Sequence, residues 1–384
     1  MPKGMPTPES VWDGDISFFS IDTDVIQAAG YHFETGALHQ LHKQLPSSMG
    51  LQLTDIVATE VIAHQMKAVS KSVQEFKSAS ANLKRRADLP MNQIDDLFVG
   101  LDPEEASRIF FRKRVEDYAD RCGGGILETE GDGILTEVFR RYFNAIPPFE
   151  PNASKKAEFP DAAALLVLES FAEENETLGI VVSNDGGWHN FAASSEYLYC
   201  ARSLDELTKL FIATSDVSTK IKAAILDSIN DRQSRLRMQL SDELKNHIDD
   251  ATWFVGLLTT DVGSSIDGEV TDTHLADHEI IVERTDVWMD EEDPTKWLIE
   301  VTASIKVDVT IDVITFGWDV YDRDEARLSN DSVDRVIDVD ITAFLTCTDV
   351  NAASAPQDWE VEIDIAPGIY TVDVGEVKAF PWDE

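Results

Sequence analysis

Four acidic residues, Asp22, Glu60, Asp161 and Asp185, each stand where an apolar, strand-like run ends or a helix opens, in four separate segments of the chain. Oxygen donors without cysteine or histidine in the set suit a hard divalent cation such as Mg²⁺ or Mn²⁺ and disfavour zinc. If the four converge, they demand such an ion. Two carboxylates about 4 Å apart repel by roughly 1 kcal/mol in water and about 4 kcal/mol at an effective dielectric of 20, so several cannot stay ionised together without a cation between them. One or two bound cations orient water, lower its pKa and stabilise the charge that grows on phosphorus during in-line displacement. The expected chemistry is therefore scission of a phosphodiester.

The elements that must position these acids are legible in the hydrophobic pattern. ISFFSI, opening at Ile16, is apolar nearly throughout, as a strand covered on both faces of a parallel sheet should be, and it exits into Asp22-Thr23-Asp24. LQLTDIVATEVIAHQMKAV moves from a short strand at Leu51–Leu53, through Thr54 or Asp55 as N-cap, into a helix that carries Glu60. FPDAAALLVLESFAEEN reads as a buried helix beginning at Pro160 or Asp161. LGIVVSNDGG is a short strand, Ile180 to Val182, that runs into a polar turn holding Ser183, Asn184 and Asp185. A further strand at Leu198–Cys200 precedes Ser203 and Glu206, spaced as a capping box. In an open parallel sheet ligands bind beyond the carboxyl ends of the strands, near the topological switch, and Asp22 and Asp185 both stand at such ends.

Between Glu60 and Asp161 the chain is helix-rich over residues 66–121, with Asp102-Pro103 as a cap followed by proline at the first helical position. Gly123-Gly124-Gly125 breaks the pattern, a helix follows over Leu135–Phe143, and Pro147, Pro148 and Pro151 enforce an extended connector. The three glycines have neither a preceding strand nor a following Lys-Ser/Thr, which argues against a nucleotide-binding loop. Residues 216–250 are helical again and read as a connector. Beyond them the period changes to two: IKVDVTIDVITFGWDVYD, RVIDVDITAFLTC, WEVEIDI and YTVDVGEVKAF alternate apolar residues with acids or threonine. A second, β-rich domain is expected over 251–384, as a sandwich or an open antiparallel sheet with its acids on one wet face.

Composition bounds the rest. The chain of 384 residues is long enough for two domains, and its formal charge of −40 excludes a generally basic, backbone-gripping surface. Phosphate contact must be local or metal-mediated, and a phosphate that cannot approach an acidic protein can approach its metal-loaded pocket. The acidity concentrates in residues 216–384, which hold 39 of the 72 acids and only 13 of the 32 bases. Such an excess marks adaptation to high salt, a solubility device or a surface that repels nucleic acid, and composition alone does not choose among them. Cys122, Cys200 and Cys347 lack metal-ligand or disulfide-framework spacing and read as reduced thiols. There is no apolar signal segment and no run of about 18 apolar residues, so the expectation is a cytoplasmic protein without membrane association.

The ordered set Ile21-Asp22-Thr23-Asp24-Val25-Ile26, Glu60 within VATEVIAH, Asp161 within FPDAAALLVL, and Ser183-Asn184-Asp185 followed by Trp188 resembles the PIN-domain nucleases, most of all the larger PIN-like domains of bacterial proteins. The resemblance covers about residues 14–212. It implies an α/β/α sandwich with a central, mostly parallel sheet over residues 1–215, interrupted by a helical insertion at about 66–150. It also implies a divalent-metal-dependent endoribonuclease that cuts single-stranded RNA with Mg²⁺ or Mn²⁺. On that pattern Asp22, Glu60, Asp161 and Asp185 match the family's four acids, Ser183 matches its small hydroxyl residue, and Asn184 stands beside it as a supporting residue. The third residue of the opening motif is commonly asparagine; Asp24 there is an additional ligand, a partner of the ligands or a plain helix cap. The long interval between Glu60 and Asp161 holds extra helices that would shape a channel or dock a partner. Use as a toxin or defence effector rests on analogy alone.

Plainer readings stand beside these. Asp22 or Asp24 can simply cap a helix, Glu60 can be a solvated helix residue, and Asp161 after Pro160 fits an ordinary helix start. Lys84-Arg85-Arg86, Arg108 with Arg112-Lys113-Arg114, Arg140-Arg141 and Lys155-Lys156 are the concentrated positive charge. Arg108, Arg112, Lys155, Lys156 and His189 are the candidate RNA contacts. Glu104 precedes Arg108 by four residues, however, which fits a solvated helix ion pair. Trp188 suits either packing or stacking on a base. Two other functions remain open: a non-catalytic PIN-like scaffold whose acidic β domain recruits a basic protein partner, and a structure-specific DNA nuclease using the same acids. Oligomerisation is compatible with all three.

Overall fold

The computed structural model describes residues 4–12, 14–87, 102–129, 132–149, 158–212, 216–260, 265–290, 293–319, 324–350 and 359–377. They form two compact units, Met1–Ile212 and Ala213–Glu384. The first contains α1 (Pro8–Trp12), β1 (Ile16–Ile21), α2 (Thr23–Ala28), α3 (Gly36–Gln40), β2 (Gly50–Thr54), α4 (Asp55–Ala87), α5 (Pro103–Arg121), β3 (Gly125–Leu127), α6 (Asp132–Asn144), α7 (Phe159–Glu174), β4 (Leu178–Val182), α8 (Gly186–Ser194), β5 (Leu198–Ala201) and α9 (Leu204–Thr208). The second contains α10 (Asp216–Asn230), α11 (Arg235–Asp250), β6 (Thr252–Val255), β7 (Leu258–Thr260), β8 (Ser265–Met289), β9 (Trp297–Asp319), β10 (Asp324–Thr348), β11 (Glu360–Ile365), β12 (Ile369–Val372) and β13 (Gly375–Val377).

The first unit is built on a five-stranded parallel sheet in the order β3-β2-β1-β4-β5, flanked by helices. The unbroken apolar run of β1 has its reason in this order. It is a central strand, with Ile16, Phe18, Phe19 and Ile21 all buried, whereas an edge strand could leave one face wet. After β1 the chain steps to β2 on one side, and only much later returns to β4 on the other. The switch point therefore lies between β1 and β4, where Ile21 registers with Val182.

The three glycines at 123–125 have a structural use that sequence reading missed. Gly123 has φ +70 and follows the C-cap Cys122. Its amide donates to Asp120 and that of Gly124 to Ala119, the paired bonds of a Schellman motif closing α5. The chain then enters β3, a short edge strand that the triplet's breaker composition concealed. In this turn the backbones of Gly124 and β2 nearly touch.

In the second unit β11-β10-β9-β8 form an open antiparallel sheet. Alternate residues of β9, from Ile299 and Val301 to Ile311 and Val313, are buried, while Lys306 and Asp308, with Asp334, Asp338 and Asp340 of β10, face the other way, as one-sided burial requires. Residues 216–250, expected as a connector, are instead part of this unit's core. Ile221, Ile225 and Ile229 on α10, with Leu236, Leu240, Leu244 and Ile248 on α11, repeat every four residues and join the buried face of the sheet. Helices with such a stripe cannot remain in water as a tether, because the apolar face needs a partner. Two short parallel pairs, β12-β6 and β13-β7, complete the unit. Among the described residues no helix is long and apolar enough to cross a membrane.

A Cβ on Gly124 would lie 1.7 Å from the Leu51 carbonyl oxygen, whereas one on Gly125 would meet nothing within 4 Å. Gly124→Ala is expected to destabilise the protein by about 2–4 kcal/mol and Gly125→Ala by less than about 1 kcal/mol, read as thermal midpoints of the full chain.

Candidate functional site

The parallel register brings the end of β1 against the end of β4. The amide of Asp22 donates to Val182 O at 2.9 Å, so the side chain of Asp22 emerges beside Ser183. The Ser183 hydroxyl donates to Asp22 Oδ2 at 2.6 Å and accepts from the Asp185 amide at 3.0 Å. One small hydroxyl thus ties the first acid to the backbone of the last. Asp22 also caps α2, its Oδ1 accepting from the Thr23 amide at 2.6 Å. The plain reading of Asp22 as a helix cap is correct, and it does not compete with a second use of the other oxygen.

The remaining acids are held in the same indirect manner. Asp185 caps α8, accepting from the amides of Gly187 at 2.6 Å and Trp188 at 3.3 Å. Asp24 accepts from the Asn184 amide at 3.2 Å, which stitches α2 to the β4 turn and gives the aspartate at this unusual motif position a definite partner. Glu60 comes from the second turn of α4, which opens under a Thr54 cap, and accepts from the Thr23 hydroxyl at 3.0 Å. Asp161 lies in the first turn of α7, which begins at Phe159, and accepts from the indole nitrogen of Trp188 at 3.1 Å. Trp188 is fully buried, so packing is its role and stacking on a base is excluded, yet its one polar atom is spent on an acid.

Asp22, Thr23, Asp24, Gln27, Glu60, His64, Asp161, Asn184 and Asp185 line a single open cleft of about 450 Å³. Among the described residues none of its five acids forms an ion pair with lysine or arginine. Nor, among the described residues, do three of them already converge as ligands of one ion. Hydroxyl, amide and indole donors space them instead. Asp22 is 6% exposed, and burial raises its pKa from 3.8 to about 8, opposed by the Ser183 bond and reinforced by repulsion from Asp24 and Asp161. Burial likewise raises Asp161 to about 6, opposed by Trp188 and reinforced by Asp185, Glu60 and Glu158. Hard oxygen donors that cannot all ionise alone fit a divalent cation such as Mg²⁺ or Mn²⁺. The thiols offer no rival nucleophile, because burial pushes Cys122, Cys200 and Cys347 to about 12.

The proposed nucleic-acid contacts fare differently. His189 does not line the acid cleft. It faces a separate depression with Tyr199, Cys200, Arg202 and Glu206, because one step along α8 from the buried Trp188 turns the side chain by about 100°. Arg108 pairs with Glu105 at 3.7 Å, rather than with Glu104, and Arg112 with Glu116 at 3.7 Å, both exposed on α5. Lys155 and Lys156 lie outside the described residues. Other cations of the interval are structural: Arg141 binds the Pro147 carbonyl and lies over the Phe191 ring, and Arg121 binds the Phe33 carbonyl. Three cleft residues escaped the sequence reading, namely Thr23, Gln27 and His64. His64 could have been found, since it lies four residues after Glu60 on the same helix face.

Residues 20–188 match the family model of the PIN domain. No curated protein and no solved structure matches the chain. PIN domains are generally nucleases, and the matched span runs from the residue before Ile21 to the indole that holds Asp161.

A raised carboxyl pKa costs stability where the unfolded chain has released its proton and the folded chain has not. For Asp22 the cost is absent below pH 3.8 and grows until pH reaches about 8. Asp22→Asn in a chelating buffer should therefore gain stability over the natural chain as pH rises across that window, reaching on the order of 5 kcal/mol. Urea denaturation at a series of pH values measures it, and a gap independent of pH would contradict the raised pKa.

Proposed function

We propose, from the premise that residues 20–188 belong to the PIN-domain family, that this chain is a divalent-metal-dependent endonuclease that hydrolyses single-stranded RNA. The observation that carries the reading is the cleft itself: Asp22, Asp24, Glu60, Asp161 and Asp185 line one hollow, and no basic side chain among the described residues neutralises them. Asp22, Glu60, Asp161 and Asp185, with Asp24 beside them, would hold Mg²⁺ or Mn²⁺. Once bound, the cation would supply a water of lowered pKa and offset charge gathering on phosphorus.

The chain's own groups prepare that site. Burial holds a proton on Asp22 up to about pH 8 and on Asp161 only up to about pH 6, and a cation bound in the cleft would displace whichever protons remain. Ser183 keeps Asp22 in one rotamer, Trp188 does the same for Asp161, and Thr23 for Glu60. Fixed donors of this kind lower the reorganisation needed when the reaction begins. Strong negative charge repels a bare phosphate, so an unloaded cleft is closed to substrate by electrostatics alone. The single-stranded preference is supported by the family resemblance, and recruitment of a basic protein by the acidic second unit stands as a companion proposal.

Labelled single-stranded RNA, single-stranded DNA and flap substrates, incubated with the full chain and Mn²⁺, test the reading. RNA should be cut preferentially, and Asp22→Asn or Asp161→Asn should lower kcat by about a hundredfold or more while the fold is kept. Cleavage surviving in both variants would refute the assignment; preference for a flap would make it a DNA nuclease. Calorimetry should also show Mn²⁺ binding that tightens between pH 6 and pH 8 with release of about one to two protons. A scaffold without a working site would bind no Mn²⁺ through Asp22 and Asp185.

A further inference from the structure

None of the residues described as lining the acid cleft is lysine or arginine, and His64 is the one that can carry positive charge. A phosphodiester entering such a hollow needs hydrogen-bond donors for its non-bridging oxygens. His64 is well placed to be one. It lies one helical turn beyond Glu60 on α4, and so shares that acid's face of the helix. Its Nδ1 is 3.2 Å from the Tyr31 hydroxyl. Either partner can donate across this pair; when the Tyr31 hydroxyl donates, the neutral ring carries its proton on Nε2 and that nitrogen is a donor.

The conformation of Tyr31 points the same way. Its φ is +58, in the left-handed region that a bulky residue enters only under constraint. Glycine would serve if a tight turn were all that was needed, but tyrosine keeps a hydroxyl at His64. The constraint is visible. The Tyr31 amide donates to Ile26 O at 3.1 Å, and Arg114 on α5 donates to the Tyr31 carbonyl at 3.2 Å. The Arg114 guanidinium also lies over the Phe33 ring, 5.3 Å from its centre, and Arg121 donates to the Phe33 carbonyl at 2.7 Å. Two cations of the insertion helix are thus committed to pinning the turn that carries Tyr31.

We propose that His64 is a substrate-contacting residue of this cleft, donating from Nε2 to a non-bridging phosphate oxygen of the RNA strand, with Tyr31 as its positioning residue under the hold of Arg114. The proposal rests on the nuclease reading above and adds to it the group that receives the strand.

The test compares the natural chain with His64→Ala, His64→Gln and Tyr31→Phe in steady-state cleavage of single-stranded RNA. Mn²⁺ calorimetry and binding of a fluorescein-labelled oligoribonucleotide in Ca²⁺ accompany it. His64→Ala should raise KM and the RNA Kd by about tenfold, with Mn²⁺ affinity changed by less than about twofold. His64→Gln, whose amide can take the place of Nε2–H, should recover most of the loss, and Tyr31→Phe should fall between, at about threefold. An unchanged RNA Kd in His64→Ala overturns the proposal, as does a loss of Mn²⁺ binding in His64→Gln, which would make His64 a metal ligand. If the natural chain cuts no nucleic acid, the hydrolytic reading falls, while the binding arm in Ca²⁺ still decides His64.

Discussion

The hydrogen bond from the Ser183 hydroxyl to Asp22 is the constraint on which the first unit's chemistry turns. It exists because β1 and β4 are adjacent parallel strands whose carboxyl ends finish in register. Through it Asp22 is held against the turn that carries Asn184 and Asp185, and the same hydroxyl fixes the backbone of Asp185. Remove the hydroxyl and a carboxyl group 6% exposed loses its principal compensation for leaving water. The neighbouring elements repeat this logic with other donors: Thr23 for Glu60, the Asn184 amide for Asp24 and the Trp188 indole for Asp161. Acids that repel one another are gathered through intermediaries, because direct carboxylate contact without a cation would cost more than the fold could offset.

The distribution of positive charge follows from the same constraint. Arg114, Arg121 and Arg141 are engaged with backbone carbonyls and aromatic rings, where they anchor turns and helices of the insertion. Arg108, Arg112 and Lys113 pair with acids of their own helix. Exposed pairs of this type contribute little to stability, and they leave the cleft with His64 and neutral donors only. A net charge of −40 is thus compatible with a phosphate-handling site, provided that attraction is generated locally.

In the second unit one rule does most of the positioning. A strand covered on one face alternates apolar and polar residues, and β9 does so from Ile299 to Val313 and β10 from Ile337 to Ala343. Their buried set is long enough to need a matching cover, which the stripes of α10 and α11 supply. The acids of the alternation fall on the opposite side by geometry, so much of this unit's charge is a consequence of its strand pattern.

Local pattern was enough for much of this protein. The apolar run before Asp22, the cap before Glu60, the polar turn after Val182 and the two-residue period beyond residue 300 are each written in neighbouring residues, because burial on one or two faces leaves its period in the chain. The resemblance to a family of nucleases was readable for the same reason, as four acids in order at element ends. Contacts between distant segments were not. The edge strand β3 hides behind three glycines, residues 216–250 look like a tether until a sheet is there to cover, and His189 looks like Trp188's companion until the helix turns it away. Which donor meets which acid, and that His64 lines the cleft and meets Tyr31 at all, depends on strand order, on register and on the direction each side chain leaves its helix. Those are properties of segments more than twenty residues apart, and only their packing in three dimensions decides them.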